Sequence, residues 1–236
     1  MGAARRLDPG DILLIEQERS GPLFNFKKED GDKGLIPIEW WPDDFAAIRF
    51  AVRRGIVVVE AAGNGFQNLD DELYDRRPET DMYRRFPDRW ANPFNLDNLN
   101  SGAILVGAGA PLQGINNRNH GPTRSRLPFS NYGRRVDVQG WGACVTTTGN
   151  KNPGLDLSKS YTQQFSGTSS AAPIVAGALG CVQGILRASG KPPLTPEQAR
   201  KLLLDTGSPQ QGDTSERIGN LPDLRKLIQE ALNAAV

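Results

Sequence analysis

Residues 41–59 read WPDDFAAIRFAVRRGIVVV. Phe45, Ile48 and Val52 recur at spacings of three and four, the rhythm of a helix with one buried face. Asp43 and Asp44 place acids at the positive end of that helix's dipole, and Gly55 ends it. The β-branched run Ile56-Val57-Val58-Val59 then reads as a strand. Working backwards, Asp11 to Gln17 is a short apolar segment after the turn Asp8-Pro9-Gly10 and reads as a buried strand. Strand, helix, strand is the crossover unit of a parallel sheet covered on both faces.

The rest of the chain extends this pattern. Residues 18–39 are polar and glycine-bearing and predict a loop or insertion. Residues 64–100 form a long connection rich in Asn, Asp, Arg and Pro, a length that in a compact domain points to function or mobility. Ala103 to Gly107 predicts another buried strand, and residues 111–134 a second polar loop. Arg135 to Gly140 and Ala143 to Thr148 read as short strands around a Gly140-Trp141-Gly142 turn. Thr168 to Arg187 reads as a buried helix whose one interior breaker is Pro173. Thr195-Pro196-Glu197 opens a further helix running to about Leu204, and Pro222 to Ala234 is amphipathic. The whole predicts a mostly parallel α/β domain.

Composition narrows the function. The 236 residues carry 28 basic and 27 acidic side chains, so no charge excess draws the chain to nucleic acid or anionic lipid. The longest apolar run falls short of the roughly 20 residues of a membrane span. Two cysteines, Cys144 and Cys181, exclude a disulfide scaffold, and a single histidine, His120, excludes any site built from several histidines. Residues 1–10 lack the apolar stretch of a secretory signal, and a strand follows at once, so the chain is expected to open in the middle of a fold.

Two segments carry chemistry. In Phe165-Ser166-Gly167-Thr168-Ser169-Ser170-Ala171-Ala172-Pro173 a serine stands at the start of a small-residue helix. The unpaired N–H groups and partial positive charge there favour an oxyanion formed when a serine attacks a carbonyl. The same residues also suit a plain N-cap and a buried helix. In Val57-Val58-Val59-Glu60-Ala61-Ala62-Gly63-Asn64-Gly65 a strand ends in small residues and an Asn. Sites gather past the carboxyl ends of parallel strands, although Asn-Gly alone commonly makes a turn.

Taken together, the two segments resemble the subtilisin-like serine peptidases, the subtilases. Gly167-Thr168-Ser169-Ser170-Ala171-Ala172-Pro173 fits that family's G-T-S-x-A-x-P motif at every fixed position, and Ala61-Ala62-Gly63-Asn64 fits its oxyanion segment. Phe129-Ser130-Asn131-Tyr132-Gly133 and Val136-Asp137-Val138 fit the loop and strand that precede the serine. The resemblance implies a three-layer α/β fold, a mostly parallel sheet with helices on both faces, and a polypeptide substrate. It implies Ser169 as nucleophile, Asn64 and the Ser169 N–H as oxyanion donors, and Ala61, Ala62 and Gly63 as one wall of the pocket before the scissile bond. In subtilisin such an Asn donor contributes about 3 kcal/mol to the barrier. An extracellular or periplasmic location follows from the same resemblance. No cofactor is required, but subtilases often hold structural calcium, for which Asp70, Asp71 and Glu72 are candidate ligands.

The departures from the family are equally informative. The family's Asp and His segments precede the serine in the chain, and neither is present. Residues 1–236 therefore read as the C-terminal portion of one peptidase domain, with Asp and His supplied by a missing N-terminal segment or a partner chain. His120, in Asn119-His120-Gly121-Pro122, does not fit the family's catalytic histidine segment. Asp205-Thr206-Gly207 looks like an aspartic-protease signature, but it follows a helical stretch and reads as helix termination with Gly207 near C′. Ile15-Glu16-Gln17-Glu18 replaces the family's Ser-x-Gly strand, and Glu16, Glu18 and Glu60 are candidates for favouring a basic substrate residue. The competing function is a catalytically inactive peptide-binding pseudoenzyme or subunit. Loss of upstream strands is also expected to expose a central strand as an edge and to favour a partner or self-association.

Overall fold

The computed structural model describes residues 2–27, 29–78, 86–149 and 160–234. In chain order the main elements are β1 (Ile12–Ile15), β2 (Glu18–Ser20), β3 (Leu35–Pro37), α1 (Pro42–Arg53), β4 (Val57–Ala61), β5 (Ile104–Gly109), β6 (Val138–Trp141), β7 (Val145–Thr148), β8 (Tyr161–Phe165), α2 (Thr168–Ala188), α3 (Pro196–Thr206) and α4 (Leu224–Ala234). The four apolar runs form one parallel sheet of order β1-β4-β5-β6. Its register pairs Ile15 with Glu60, Val59 with Ile104 and Val106 with Val138.

Both faces are covered, as the β-branched runs require. Along β4, Val57, Val59 and Ala61 pack with Val175, Leu179 and Val182 of α2 and with Leu203 of α3. Val58 points the other way, to Ile48 and Ala51 of α1. Among the described helices, α2 is the one long and apolar enough to cross a membrane. It is instead the core helix on one face of the sheet, with Leu179, Val182 and Leu186 buried.

The edges differ from each other. A segment near the C-terminus flanks β6, with a bridge between Val138 and Asn220. Among the described residues no strand pairs with the far side of β1.

Several boundaries differ from the sequence reading. Residues 18–39 hold the antiparallel pair β2–β3, joined at Arg19 and Ile36, rather than a plain loop. Gly140 and Trp141 belong to β6 rather than to a turn. The strand β8 pairs with β7 and leads directly into α2. Gly207 has φ −69°, so α3 ends in extended backbone rather than a left-handed cap. The chain is pulled straight there because Ser208 pairs with Leu221 through two backbone bonds of 2.7 and 2.9 Å.

A charged network lies inside the sheet face opposite α2. The Arg135 guanidinium is fully buried. Its Nε lies 2.8 Å from Glu39 Oε1, and its two terminal nitrogens donate to Glu39 Oε2 at 2.8 Å and to Asp137 Oδ2 at 2.9 Å. Arg200 of α3 closes on Asp137 Oδ1 at 2.7 Å. Burial alone would lower the Arg135 pKa, but the charges of Glu39 and Asp137 raise it above its ordinary value. Two cations thus meet two anions. A third carboxyl, Glu60, accepts the Glu39 N–H at 3.0 Å, and its Oε2 has no hydrogen-bond partner among the described residues. Burial, and then the Glu39 charge, push its pKa well up.

A carboxyl with a raised folded pKa keeps its proton in the native state while the unfolded chain gives it up. The native state therefore loses stability as pH rises above the ordinary Glu value of about 4.3, until the folded pKa is reached. Glu60→Gln removes that loss. Relative to this variant, wild-type stability is expected to fall by up to about 1.4 kcal/mol per pH unit across the window. Urea unfolding of both proteins between pH 4 and 8 measures the two slopes, and parallel slopes would refute a protonated Glu60.

Candidate functional site

The site forms where the carboxyl end of β4 meets the N-terminus of α2. The wall past β4 is made of small buried residues, Ala61 and Ala62. The Ala62 N–H continues the ladder to Val106 O at 2.8 Å. Asn131 braces the next turn: its Nδ2 donates to Ala62 O at 2.7 Å and to Leu35 O at 2.8 Å. Gly63 takes φ +90°, which turns the chain out of the sheet and presents Asn64 to α2.

From the other side, Gly167 caps α2 with φ +116°. A Cβ at Gly167 would stand 3.5 Å from both amide atoms of Asn64 and 3.6 Å from the Ser169 nitrogen. The Asn64 amide and the Ser169 N–H therefore flank one point, and only glycine leaves that point clear. Ser169 is the second residue of α2 and is half-buried. Its neighbour Ser170 is tied back to Trp141 O at 3.1 Å and Gly167 O at 2.9 Å. The Ser169 hydroxyl donates to Glu16 O at 3.4 Å.

The orientation of the Asn64 amide follows from its partners. The Thr168 N–H can only donate, so the atom 2.8 Å from it is Oδ1. The Glu18 carboxylate can only accept, so the atom 3.2 Å from its Oε1 is Nδ2. Glu18 Oε2 also accepts the Asn64 backbone N–H at 2.5 Å. Thr168 completes the clamp: its hydroxyl donates to Asn64 Oδ1 at 3.1 Å and accepts from the Gly63 N–H at 3.1 Å.

The structure thus brings Ser169, Asn64, Ala61, Ala62 and Gly63 together. It separates the three acids considered for substrate preference. Glu60 is wholly buried in the Arg135 network, which takes it out of consideration. Glu16 is exposed, with its carboxyl raised by partial desolvation. Glu18 lies at Asn64, beside a hollow of about 470 Å³ lined also by Arg19, Phe26, Asp32, Leu35 and Trp41. Thr168 and Asn131 lie within the motifs, and their bracing roles rest on long-range contacts that sequence spacing does not show.

No imidazole or carboxylate reaches the Ser169 hydroxyl among the described residues. His120, the one histidine, instead has its Nε2 3.3 Å from Cys144 Sγ. Asp205 lies in the last turn of α3 and pairs with Lys201 at 2.5 Å. Two of the candidate calcium ligands accept backbone N–H groups. Asp70 accepts the Arg134 N–H at 3.0 Å and Asp71 accepts the Leu73 N–H at 2.8 Å. No group of three or more His, Cys, Asp or Glu side chains converges among the described residues.

Residues 35–220 match the profile of Peptidase_S8, the subtilase family. The chain belongs to the subtilase family. A curated relative of this subtilase chain, the extracellular protease of Xanthomonas campestris pv. campestris, is 30% identical over 173 residues, 73% of the chain and 23% of the relative. Among solved structures, a protease of Pseudoalteromonas arctica superposes with a TM-score of 0.58 at 23% identity, over 94% of the chain and 51% of that structure. A cold-adapted subtilisin-like serine proteinase gives 0.53 at 17% identity, over 93% and 56%. The patellamide maturation protease PatA gives 0.52 at 21% identity, over 80% and 56%. The α/β fold of the subtilases is therefore present, and the chain spans about half the length of these structures and under a quarter of the curated relative.

Thr168→Val keeps the shape of the clamp but removes its hydroxyl. The buried Gly63 N–H then has no acceptor, at an expected cost of about 1–3 kcal/mol. Urea denaturation of the variant checks this, and an unchanged midpoint would show that the clamp contributes nothing to stability.

Proposed function

We propose that this chain is the C-terminal portion of a serine endopeptidase domain and contributes its nucleophile and oxyanion site. The observation that carries the reading is the Asn64 amide, locked by Thr168 beside the N-terminus of the helix that bears Ser169. In this reading the Ser169 Oγ attacks the carbonyl carbon of a peptide bond. The carbonyl oxygen gathers negative charge and is met by Asn64 Nδ2 and the Ser169 N–H, aided by the dipole of α2. An acyl-enzyme and a free amine result, and water then releases the acid. The serine proton needs a base, and the family's Asp and His segments are absent from this sequence, so the base comes from an upstream segment or a partner chain. An extracellular or periplasmic location accords with the Xanthomonas relative.

Before the oxyanion can form, the Glu18 carboxylate has to leave Asn64 Nδ2. That contact, with the absence of an imidazole at Ser169, favours the second reading: an inactive subunit that binds peptide.

A fluorophosphonate probe followed by intact mass separates the two. The whole protein that contains this chain is expected to take one adduct, lost in Ser169→Ala. The chain by itself is expected to turn over peptide esters poorly, since loss of the histidine lowers turnover by roughly 10⁶ in subtilisin. A whole protein that is folded and takes no adduct would establish the inactive subunit. Glu18→Gln tests the blocking carboxylate separately, because removing its charge should raise the labelling rate of the whole protein. A slower rate would make Glu18 a support of Asn64 rather than an obstacle.

A further inference from the structure

The one histidine of the chain is spent on a cysteine rather than on the serine. Cys144 Sγ and His120 Nε2 lie 3.3 Å apart, both half-buried, in a contact that no part of the peptidase reading uses. A thiol in reach of an imidazole is a nucleophile with its base in place.

Each partner is held by its own anchor. Cys144 sits between β6 and β7 with φ +57°, a conformation that non-glycine residues rarely take. It is fixed on one side by the Gly142 N–H on Gly109 O at 2.8 Å, and on the other by the pairing of Val145 with Phe165. The loop that carries His120 is pinned to β8, where Asn116 Nδ2 donates to Gln163 O at 3.1 Å. The Gly121 N–H on Asn119 Oδ1, at 2.9 Å, shapes the turn around the imidazole. Both segments are therefore tied to the same strand, β8, which keeps the base beside the thiol.

The geometry points to Cys144 as a reactive thiol, a modification site for soft electrophiles and in particular for small disulfides. In that reaction the Cys144 sulfur attacks one sulfur of the disulfide. A new S–S bond forms, the old one breaks, and the thiol proton passes to His120 Nε2 and from there to the departing thiolate. No other oxidant is required. The product is a mixed disulfide next to the strand pair that leads into α2, since the Gly167 N–H donates to Gly142 O at 2.9 Å.

The chain carries its own control. Cys181 lies on α2, is exposed, and has no second histidine available to it. Exposure alone would make Cys181 the faster thiol, whereas base assistance makes it Cys144. Brief treatment of the native protein with iodoacetamide near pH 7, followed by peptide mass analysis, gives both rates in one sample. Cys144 is expected to react about tenfold faster or more, given the 10²–10⁴-fold contribution usual for a placed base. His120→Gln should bring Cys144 down by a similar factor and leave Cys181 unchanged. Glutathione disulfide should then add once, at Cys144, and dithiothreitol should reverse it. Faster reaction at Cys181 in the wild-type protein would overturn the proposal without any variant. So would a Cys144 rate indifferent to His120→Gln. Neither result bears on Ser169, so the peptidase reading stands or falls separately.

Discussion

The Arg135 guanidinium is the point from which the architecture is tied. It has no access to water, so its charge and its terminal N–H groups are met by acceptors within the protein. Those acceptors come from separate places in the chain: Glu39 ahead of α1, Ala103 O at the start of β5, and Asp137 at the entry to β6. Asp137 passes the constraint on, accepting the Leu105 N–H at 2.9 Å and Arg200 from α3. One cation thereby fixes the entries of two strands relative to the helices on both faces. A buried pair of this kind is weak support for stability taken as a whole, but breaking one side of it leaves an uncompensated charge. The Glu60 carboxyl borders the same network, where burial and then the Glu39 charge push its pKa up.

From that frame the site follows by short steps. Because β4 is held in the centre of the sheet, its end delivers Ala61, Ala62 and Gly63 to a defined place, and Asn131 fixes the turn beyond. Because α2 packs on that same sheet, its N-terminus arrives opposite Asn64. Donor and acceptor chemistry then leaves the amide only one orientation, with Oδ1 on Thr168 and Nδ2 turned towards the groove and Glu18. Ser169 and the Asn64 amide are thus placed by elements whose packing does not involve the serine hydroxyl.

Much of this was legible in the sequence. The run Ile56 to Val59 and the rhythm of Phe45, Ile48 and Val52 give the crossover unit, because burial on both faces leaves a continuous apolar signature. The small residues around Ser169 mark a helix start with room for a backbone. The parts that stayed hidden have physical causes. The strand β8, Tyr161-Thr162-Gln163-Gln164-Phe165, is largely exposed, so it carries no apolar alternation. The strands β2 and β3, of three residues each, are too short to show a period. Glu60 looked like an accessible acid because its neighbours in space, Glu39 and Arg135, lie far from it in the chain. Glu18 was legible as an acid near the site, but its hold on Asn64 depends on the fold of residues 46 positions apart.

The order of the sheet also bears on how the chain finds its structure. Ile12 pairs with Val57, Val59 with Ile104 and Val106 with Val138, so each parallel pairing joins segments separated by a long stretch of sequence. Such closures are slow, because the entropy of drawing distant segments together is lost before the contacts form. The β-branched segment Ile56 to Val59 must remain unsatisfied through that search, and it is the kind of segment that associates with copies of itself. Capture of β4 between its two neighbours closes two of those separations, and dilution during refolding would favour the native sheet over aggregates.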